Sequence, residues 1–298
     1  MRAYVPGYEV KAPATLDAAL QILAEAPERW MPLAGGTDVM VYFESGSLPP
    51  GSYLSIWHLD ELRQNLVTDT HVTLGALTTY SEVREHPMLQ AEFPMLVQAA
   101  SESGAIAIQN RGTLGGNIIN ASPAADSPPA LIAYDAEVEL VSADGGARWV
   151  SYGDFHHGYK QMVRQKHELL RAIRLPRRPD PAAWTHFYKK VGTRKYQSIS
   201  KVCFAGVARW DAEAAVPRDV RIGMGSVAAT VLRATKTEST IEGNRLGPAL
   251  LEATGAAMEA DVRPIDDIRS TAHYRQKVSG NVAKAFVRAI QAQHSADG

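Results

Sequence analysis

Cysteine is almost absent from this chain, since Cys203 is the only one among 298 residues. The chain therefore cannot form an internal disulfide. By itself it also cannot hold an iron–sulfur cluster or a zinc ion bound by several thiolates. An excess of charge is missing as well, because the formal net charge at pH 7 is −1. Composition thus gives no reason to expect a nucleic acid or a charged membrane surface as partner.

Long apolar runs are lacking too. No stretch approaches the roughly 20 apolar residues of a membrane-spanning helix. The opening residues, Met-Arg-Ala-Tyr-Val-Pro-Gly, contain no hydrophobic signal core. We therefore expect no membrane span and a cytoplasmic location. The remaining composition, with 45% hydrophobic and 21% charged residues, is that of a globular protein long enough for two or three units.

Paired glycines are what the chain does have. The segment Thr113-Leu-Gly-Gly-Asn-Ile-Ile-Asn-Ala-Ser-Pro-Ala-Ala-Asp126 places two adjacent glycines ahead of a carboxylate. Glycine lets backbone N–H groups approach an anion closely and can adopt positive φ, which suits a nucleotide diphosphate. A single pair could equally be a turn between two strands. However, Pro32-Leu-Ala-Gly-Gly-Thr-Asp-Val39 has the same ingredients, and two such segments can clamp one dinucleotide from both sides.

These two segments resemble those of a known family, the FAD-binding or medium subunits of the molybdenum hydroxylases. Bacterial xanthine dehydrogenase, nicotinate dehydrogenase and carbon monoxide dehydrogenase contain such subunits. The resemblance continues in Glu168-Leu-Leu-Arg-Ala-Ile-Arg-Leu-Pro176 and Tyr188-Lys-Lys-Val-Gly-Thr-Arg-Lys195, so it runs over essentially the whole chain.

The resemblance implies a set of FAD contacts. In the first segment these are Leu33, Ala34, Gly35, Gly36, Thr37, Asp38 and Val39, and in the second Thr113, Gly116, Asn117, Ile119 and Asp126. Leu170 is expected to pack near the flavin ring. Lys190, in a Tyr-x-Lys motif, is expected to meet the cofactor region. No catalytic acid or base and no metal ligand is implied.

Two positions depart from the family pattern. Many relatives have Ile-Arg-Asn before the second glycine pair, whereas this chain has Ile108-Gln109-Asn110, which moves the local cation to Arg111. Some relatives also carry Asp residues near the position of Gln197-Ser198, where they influence the flavin. Their absence leaves the terminal electron acceptor open.

The fold class expected from the pattern and the resemblance is α+β. Residues 1–177 are expected to form an FAD-binding domain of the vanillyl-alcohol-oxidase type, with two subdomains. Residues 178–298 are expected to form a smaller α+β domain of antiparallel strands followed by helices. We place the boundary at Arg177-Arg-Pro-Asp-Pro181, where charge and proline cluster between two strand-like runs. The chain is expected to fray from Gln291 onward.

Local signals predict individual elements. Thr15 is expected to cap a helix that ends before Pro27, and Thr79 with Glu82 forms a capping box. Asp144-Gly145 is expected to join a hairpin. In the carboxy-terminal part, strands are expected over 184–191, 202–210 and 220–227, and helices over 246–258 and 274–290.

Three other patterns are weaker. Gly223-Met-Gly-Ser-Val-Ala228 matches a dinucleotide-binding fingerprint, but β-branched residues follow where the motif requires a helix, so we expect only a strand and loop. His167-Glu-Leu-Leu-Arg171 lacks the second histidine of a zinc-protease helix. His156-His157 is interpreted as a solvated loop pair.

The function favoured is electron transfer in a heteromeric molybdenum hydroxylase. The implied partners are a small subunit with 2Fe-2S clusters and a large molybdopterin subunit, and the implied acceptor is NAD, a quinone or oxygen. The main alternative is a self-contained FAD-dependent oxidoreductase of the same fold. A scaffold that has lost its cofactor is disfavoured by the two intact glycine segments.

Overall fold

The computed structural model describes residues 7–194 and 197–294. The first six residues, residues 195 and 196, and the last four residues lie outside these ranges, so Lys195 at the end of the fourth stretch of family resemblance is not described. Within them, no helix is long and apolar enough to cross a membrane.

The amino-terminal subdomain is a small parallel sheet with one amphipathic helix. Thr15 Oγ1 accepts a hydrogen bond from Ala18 N–H at 3.2 Å, which confirms the predicted cap. Leu20 and Leu23 bury the apolar face of this helix. The elements are β1 (Tyr8–Lys11), α1 (Leu16–Glu25), β2 (Trp30–Leu33), α2 (Thr37–Glu44) and β3 (Gly51–Ser55). The three strands pair in parallel in the order β1-β3-β2.

The second subdomain packs helices against a five-stranded antiparallel sheet. Its helices are α3 (Tyr80–Glu85), α4 (Pro87–Glu92), α5 (Pro94–Glu102), α6 (Ile106–Gln109), α7 (Leu114–Asn120) and α8 (Pro128–Ala133). Its strands are β4 (Leu66–Val67), β5 (His71–Gly75), β6 (Glu137–Val141), β7 (Ala147–Ser151), β8 (His156–Gly158), β9 (Gln161–Met162) and β10 (Leu169–Pro176). The sheet order is β4-β5-β10-β6-β7, and β8 and β9 form a separate hairpin.

Two local predictions in this subdomain are confirmed. Thr79 and Glu82 form the capping box of α3. Strands β6 and β7 pair as the predicted hairpin, whose turn contains Gly145 at φ 79°. The glycine pair at 115–116 lies inside α7, so it is not the turn between two strands that was the alternative interpretation.

The carboxy-terminal unit is a four-stranded antiparallel sheet covered by three helices. Its elements are β11 (Trp184–Val191), β12 (Val202–Asp211), β13 (Val216–Gly225), β14 (Leu232–Arg233), α9 (Thr235–Ile241), α10 (Pro248–Asp261) and α11 (Ala272–His294). Helix α11 continues past Gln291, so the predicted fraying is wrong up to His294. The His294 ring stacks on Trp210 with centroids 4.9 Å apart.

Strand β12 joins the two units, because both of its faces are buried. Cys203 and Ala205 belong to the core of the second subdomain, whereas Phe204 belongs to the core beneath α10 and α11. A strand buried on both faces has a continuous apolar sequence, as residues 202–208 do. The two units therefore share a packed interface.

The glycines of the fingerprint-like match serve this interface. A Cβ at Gly223 would lie 2.1 Å from the carbonyl oxygen of Pro129 in α8, and one at Gly225 would lie 3.1 Å from Pro129 Cγ. Strand β13 pairs antiparallel with both of its neighbours, and α9 follows only after β14. The match is a strand and loop as expected, and the glycines allow close packing of β13 on α8.

The segment between the two units is packed. Arg177 pairs with Glu92 at 2.5 Å, and the Arg178 guanidinium lies 4.5 Å from the centroid of the Trp184 ring. Arg178 is only 8% exposed. The boundary predicted at residues 177 and 178 falls between β10 and β11, and as a division of the chain it stays a prediction.

Candidate cofactor-binding cleft

A cleft of about 760 Å³ is lined by residues of both amino-terminal subdomains. Its walls contain both glycine segments, which are far apart in the sequence. The predicted positions found there are Leu33, Ala34, Gly35, Gly36, Thr37, Asp38, Val39, Thr113, Gly116, Asn117, Ile119, Asp126 and Leu170. Lys190, the remaining predicted contact, does not line the cleft but lies directly behind Asp126.

The two glycines of the first segment have different surroundings. A Cβ at Gly35 would lie 1.7 Å from the Arg111 carbonyl oxygen, so this position is filled by the backbone that leads into the second segment. Gly36 has a φ of 76°, and only Leu33 Cδ1, at 3.7 Å, would be near its Cβ. Helix α2 starts immediately afterwards at Thr37, and the first-turn N–H groups of a helix have no partner within it. Gly36 therefore leaves open space in the cleft wall next to the unpaired N–H groups in the first turn of α2.

The second pair shows the same division. A Cβ at Gly115 would lie 2.6 Å from the Ala76 carbonyl oxygen, which also accepts the Gly115 N–H at 2.9 Å. Gly116 faces the cleft, where a Cβ would meet Thr113 Oγ1 at 2.9 Å. Thr113 caps α7 by accepting the Gly116 N–H at 3.0 Å. The pair is helical, so it does not use the positive φ that glycine allows, but Gly116 does leave open space.

A hydrogen bond joins the two segments across the cleft. Asn120 Nδ2 donates to Asp38 Oδ2 at 2.9 Å. Burial raises the pKa of the Asp38 carboxyl, and the positive charge of Lys160 opposes that shift. The carboxylate of the first segment thus holds α7 in place beside α2.

Asp126 is held by groups from both sides of the domain boundary. Its Oδ2 accepts from Lys190 Nζ at 2.7 Å and from Ser103 Oγ at 3.4 Å, and its Oδ1 accepts from Ser200 Oγ at 2.7 Å. The Lys190 side chain is 2% exposed and also donates to the carbonyl of Glu102 at 2.9 Å. Burial raises the pKa of Asp126, and these donors oppose the rise. Since a carboxylate offers about four acceptor positions, one remains for a ligand.

Leu170 reaches the cleft from the central strand of the five-stranded sheet. The pairing register between β10 and β6 shifts between Leu170 and Ala172, so Arg171 forms a bulge. The Arg171 carbonyl accepts from Ala76 N–H at 2.9 Å, which ties the bulge to the wall near Gly115. Bulges commonly re-aim a neighbouring side chain. Leu170 accordingly contributes an apolar contact to the cleft.

One polar group of the wall has no partner among the described residues. Arg164 Nε is buried without a hydrogen-bond acceptor, and its side chain lines the cleft. Buried donors are normally satisfied, so an unsatisfied one in a cleft wall indicates a ligand with acceptors. The open space at Gly36 and Gly116, the free N–H groups at the start of α2 and this donor fit a long dinucleotide.

Sequence reasoning missed several residues of the wall. These are chiefly Tyr42, Tyr80, Ser103, Gly104, Ala125, Lys160, Met162 and Arg164. Lys160 and Met162 lie in or next to strands of two and three residues, which are too short to show a period. Ser200, the second donor to Asp126, had no signal beyond its nearness to Lys190 in the sequence.

The first departure from the family pattern, at Gln109 and Arg111, has a structural explanation. Gln109 is buried and accepts from Arg84 at 2.7 Å, so an uncharged side chain suits its position. The Arg111 guanidinium stacks on Trp57, 3.9 Å from the ring centroid.

His156 is half-buried, its Nε2 donates to Ile118 O at 2.9 Å, and burial lowers its pKa. For His156 the expectation of a solvated pair is wrong. Among the described residues, no three His, Cys, Asp or Glu side chains are grouped to hold a metal ion.

Comparison with known proteins covers both units. Residues 6–178 match the family model described as the FAD binding domain in molybdopterin dehydrogenase. Residues 186–290 match the CO dehydrogenase flavoprotein C-terminal domain. The putative xanthine dehydrogenase FAD-binding subunit of Escherichia coli K12 is 31% identical over 276 residues, 92% of each chain.

Carbon monoxide dehydrogenase provides a second relative and a solved structure. Its medium chain from Hydrogenophaga pseudoflava is 27% identical, and the match covers 97% of this chain and 98% of the relative. A solved structure of that enzyme, lacking the Mo-pyranopterin moiety, matches with a TM-score of 0.91 at 26% identity. The match covers 98% of this chain and 99% of the other. FAD is thus the cofactor of this chain, which belongs to the FAD-binding, or medium, subunits of the molybdenum hydroxylases.

Proposed function

We propose that this chain is the electron-transfer subunit of a heteromeric molybdenum hydroxylase. In this proposal a large molybdopterin subunit oxidises the organic substrate. A small subunit with 2Fe-2S clusters then delivers the electrons, and this chain holds FAD between those clusters and an external acceptor. The acceptor is NAD, a quinone or oxygen.

The observation that carries the proposal is the meeting of the two glycine segments in one cleft. They are separated by more than seventy residues in the sequence, yet Gly36 and Gly116 both open onto the same space. Glycine pairs that served only the fold would have no reason to converge on one cavity. The likeness to medium subunits over nearly the full length supports the assembly.

The wall residues have distinct tasks in binding FAD. Gly36 and Gly116 allow close approach of the cofactor, and the first-turn N–H groups of α2 offer donors to its diphosphate. Leu170 contributes an apolar surface, and Asp126 one remaining acceptor for a hydroxyl. Lys190 acts through Asp126, whose carboxylate it holds. When bound, FAD supplies reversible one- and two-electron chemistry, while the protein positions it and tunes its potential.

The chain itself needs no general acid or base in this proposal. Two half-buried histidines already make hydrogen bonds that hold the fold. His156 bonds to the Ile118 carbonyl oxygen, and His186 bonds to Tyr134 Oη. Neither lines the cleft. The task of the chain is therefore to bind FAD, to orient it and to exclude water from it.

The test is to purify the chain alone, record its visible absorption spectrum, and then add reductants and co-encoded proteins in turn. We expect bound flavin that is reduced only when the iron–sulfur chain, the molybdenum chain and their substrate are all present. Rapid reduction of the isolated chain by a small molecule would contradict the proposal and support a self-contained FAD-dependent oxidoreductase.

Two finer points need their own measurements. Stopped-flow reoxidation of the reduced complex with NAD, a quinone and oxygen in separate experiments would identify the acceptor. The cytoplasmic location stays a prediction, which cell fractionation would test.

A further inference from the structure

The hairpin formed by β8 and β9 carries a cation that the tasks above leave unexplained. Lys160 lies in the turn between the two strands and lines the cleft. Its φ is 53°, a left-handed conformation that is less favourable for a lysine than for a glycine. A glycine or an asparagine would make this turn with less strain. The turn itself therefore does not explain the lysine.

The position of this hairpin is fixed relative to both glycine segments. His156 Nε2 donates to Ile118 O at 2.9 Å and fastens the hairpin to α7. Val163 N–H donates to Phe155 O at 3.1 Å and closes its base. Helix α7 is tied to α2 through Asn120 and Asp38. The Lys160 turn is thus held relative to the start of α2.

The charged side chains of the cleft wall differ in whether they have partners within the protein. The charged residues that line it are Asp38, Asp126, Lys160 and Arg164. Asp126 is neutralised by Lys190 at 2.7 Å. Arg164 Nη1 is anchored, because it donates to the carbonyl oxygens of Gln165 and Glu168 at 3.0 and 2.8 Å.

Lys160 is the charged residue of the cleft wall that has no partner among the described residues. Across residues 7–194 and 197–294, no hydrogen bond or ion pair holds its ammonium group. Its charge nevertheless acts on Asp38, which lies in the first turn of α2. Lys160 is therefore a free cation within electrostatic range of the place where Gly36 opens the wall and the N–H groups of α2 are free.

We propose that Lys160 supplies the positive charge that binds the diphosphate of FAD, an inference that rests on the proposed function. A diphosphate beside α2 would be repelled by the Asp38 carboxylate, and a nearby ammonium offsets that repulsion. A hydrogen bond from an ammonium to a phosphate oxygen is charge-assisted and is stronger than a neutral one. Since riboflavin has no diphosphate, Lys160 discriminates FAD from riboflavin.

The test compares Lys160→Gln, Lys160→Arg and the control Lys236→Gln in the full-length chain freed of flavin. Lys236 is exposed on α9, outside the cleft. FAD and riboflavin affinities are measured by flavin fluorescence at low and high salt, and ADP is titrated as a competitor of FAD. For Lys160→Gln we expect roughly tenfold weaker FAD and ADP binding, a smaller salt dependence and unchanged riboflavin binding. Lys160→Arg and Lys236→Gln should resemble the wild type.

The outcomes separate this inference from the proposed function. Equal losses for FAD and riboflavin would show that Lys160 only holds the hairpin, and unchanged FAD and ADP binding would show that the charge is not used. If riboflavin binds too weakly to measure, the ADP competition decides. A wild-type chain that binds no FAD at all would overturn the proposed function itself, whatever the variants do.

Discussion

Paired glycines occur both at the cleft and at the interface between the two domains, but they do different things there. At the interface both Gly223 and Gly225 face Pro129 of α8, and neither leaves open space. At the cleft all four glycines line the cavity, but an added Cβ would meet a carbonyl oxygen at Gly35 and Gly115, whereas no backbone atom lies within 4 Å of it at Gly36 and Gly116. The pattern in the sequence is similar at both sites. What distinguishes a binding glycine is what a Cβ would meet.

The largest effect is expected from breaking the interface. Gly223→Ala places a Cβ 2.1 Å from the Pro129 carbonyl oxygen, so α8 or β13 must move. We expect the free energy of unfolding to fall by about 3 kcal/mol or more, which lowers the melting temperature by roughly 10 °C. Differential scanning calorimetry measures this loss. The control is Gly247→Ala, where nothing lies within 4 Å of the added Cβ. Equal melting temperatures for the two variants would refute the packing role.

Gly116→Val is expected to impair FAD binding in the cleft. The new side chain should fill the space left for the cofactor, while the fold tolerates it because only Thr113 Oγ1 lies closer than 3.0 Å to a Cβ there. We expect a folded chain whose FAD affinity is reduced by about 100-fold or more, equivalent to about 2.7 kcal/mol. Flavin content after gel filtration and circular dichroism give the two measurements. Stoichiometric FAD in this variant would remove Gly116 from the site.

The interface can be examined further through its buried histidine. Tyr134 Oη accepts from Met95 N–H, so we assign its own proton to His186 Nδ1 at 3.1 Å, across the interface. Burial, aided by the Arg178 charge, lowers the pKa of His186 to about 4. Between about pH 6.5 and pH 4 the unfolded chain therefore binds a proton that the folded chain does not.

The free energy of unfolding should consequently fall by about 3 kcal/mol as the pH decreases through that window, and this contribution is fully present above it. Chemical denaturation at several pH values measures the loss. His186→Gln should flatten the dependence, whereas the exposed His273→Gln should keep it. An unchanged slope in His186→Gln would assign the pH dependence to other groups.

The smallest effect is expected at Gly36, which faces the cleft but has an unusual conformation. Gly36→Ala meets no close atom, yet it must keep a φ of 76°, which costs about 1 kcal/mol. Gly36→Asn should cost less, because asparagine tolerates this region. Denaturant midpoints would rank the two variants. Equal midpoints would mean that the positive φ carries no strain.

Local chemistry predicted much of the fold. Thr15, the Thr79–Glu82 pair and the Asp144-Gly145 turn each specify a cap or turn through neighbouring backbone groups, and all three are present. Gly115 behaves differently, because its N–H and that of Leu114 bind the carbonyls of Ala76 and Thr78. These carbonyl partners are distant in the sequence, and they pair with the first N–H groups of α7, so the glycines lie in a helix.

The boundary and the cleft show the same limit. Arg178 lies in the segment where clustered charge and proline predict the domain boundary, but its guanidinium is buried because it stacks on Trp184. Lys160 was missed because its hairpin strands are too short for a pattern. Asp126 and Lys190 lie 64 residues apart, so only the family resemblance connected them to one site.

The ion pair between Lys190 and Asp126 has a consequence for how such proteins can be recombined. Asp126 belongs to the FAD-binding half of the chain, whereas Lys190 and Ser200, which donate hydrogen bonds to it, belong to the other half. Removing one partner of a buried pair costs about 3–5 kcal/mol, because the remaining charge has no compensation. Residues 7–177 expressed alone should therefore hold FAD poorly even if they fold, which flavin content would show. Chimeras between relatives should keep their cofactor only when the lysine is inherited together with the aspartate.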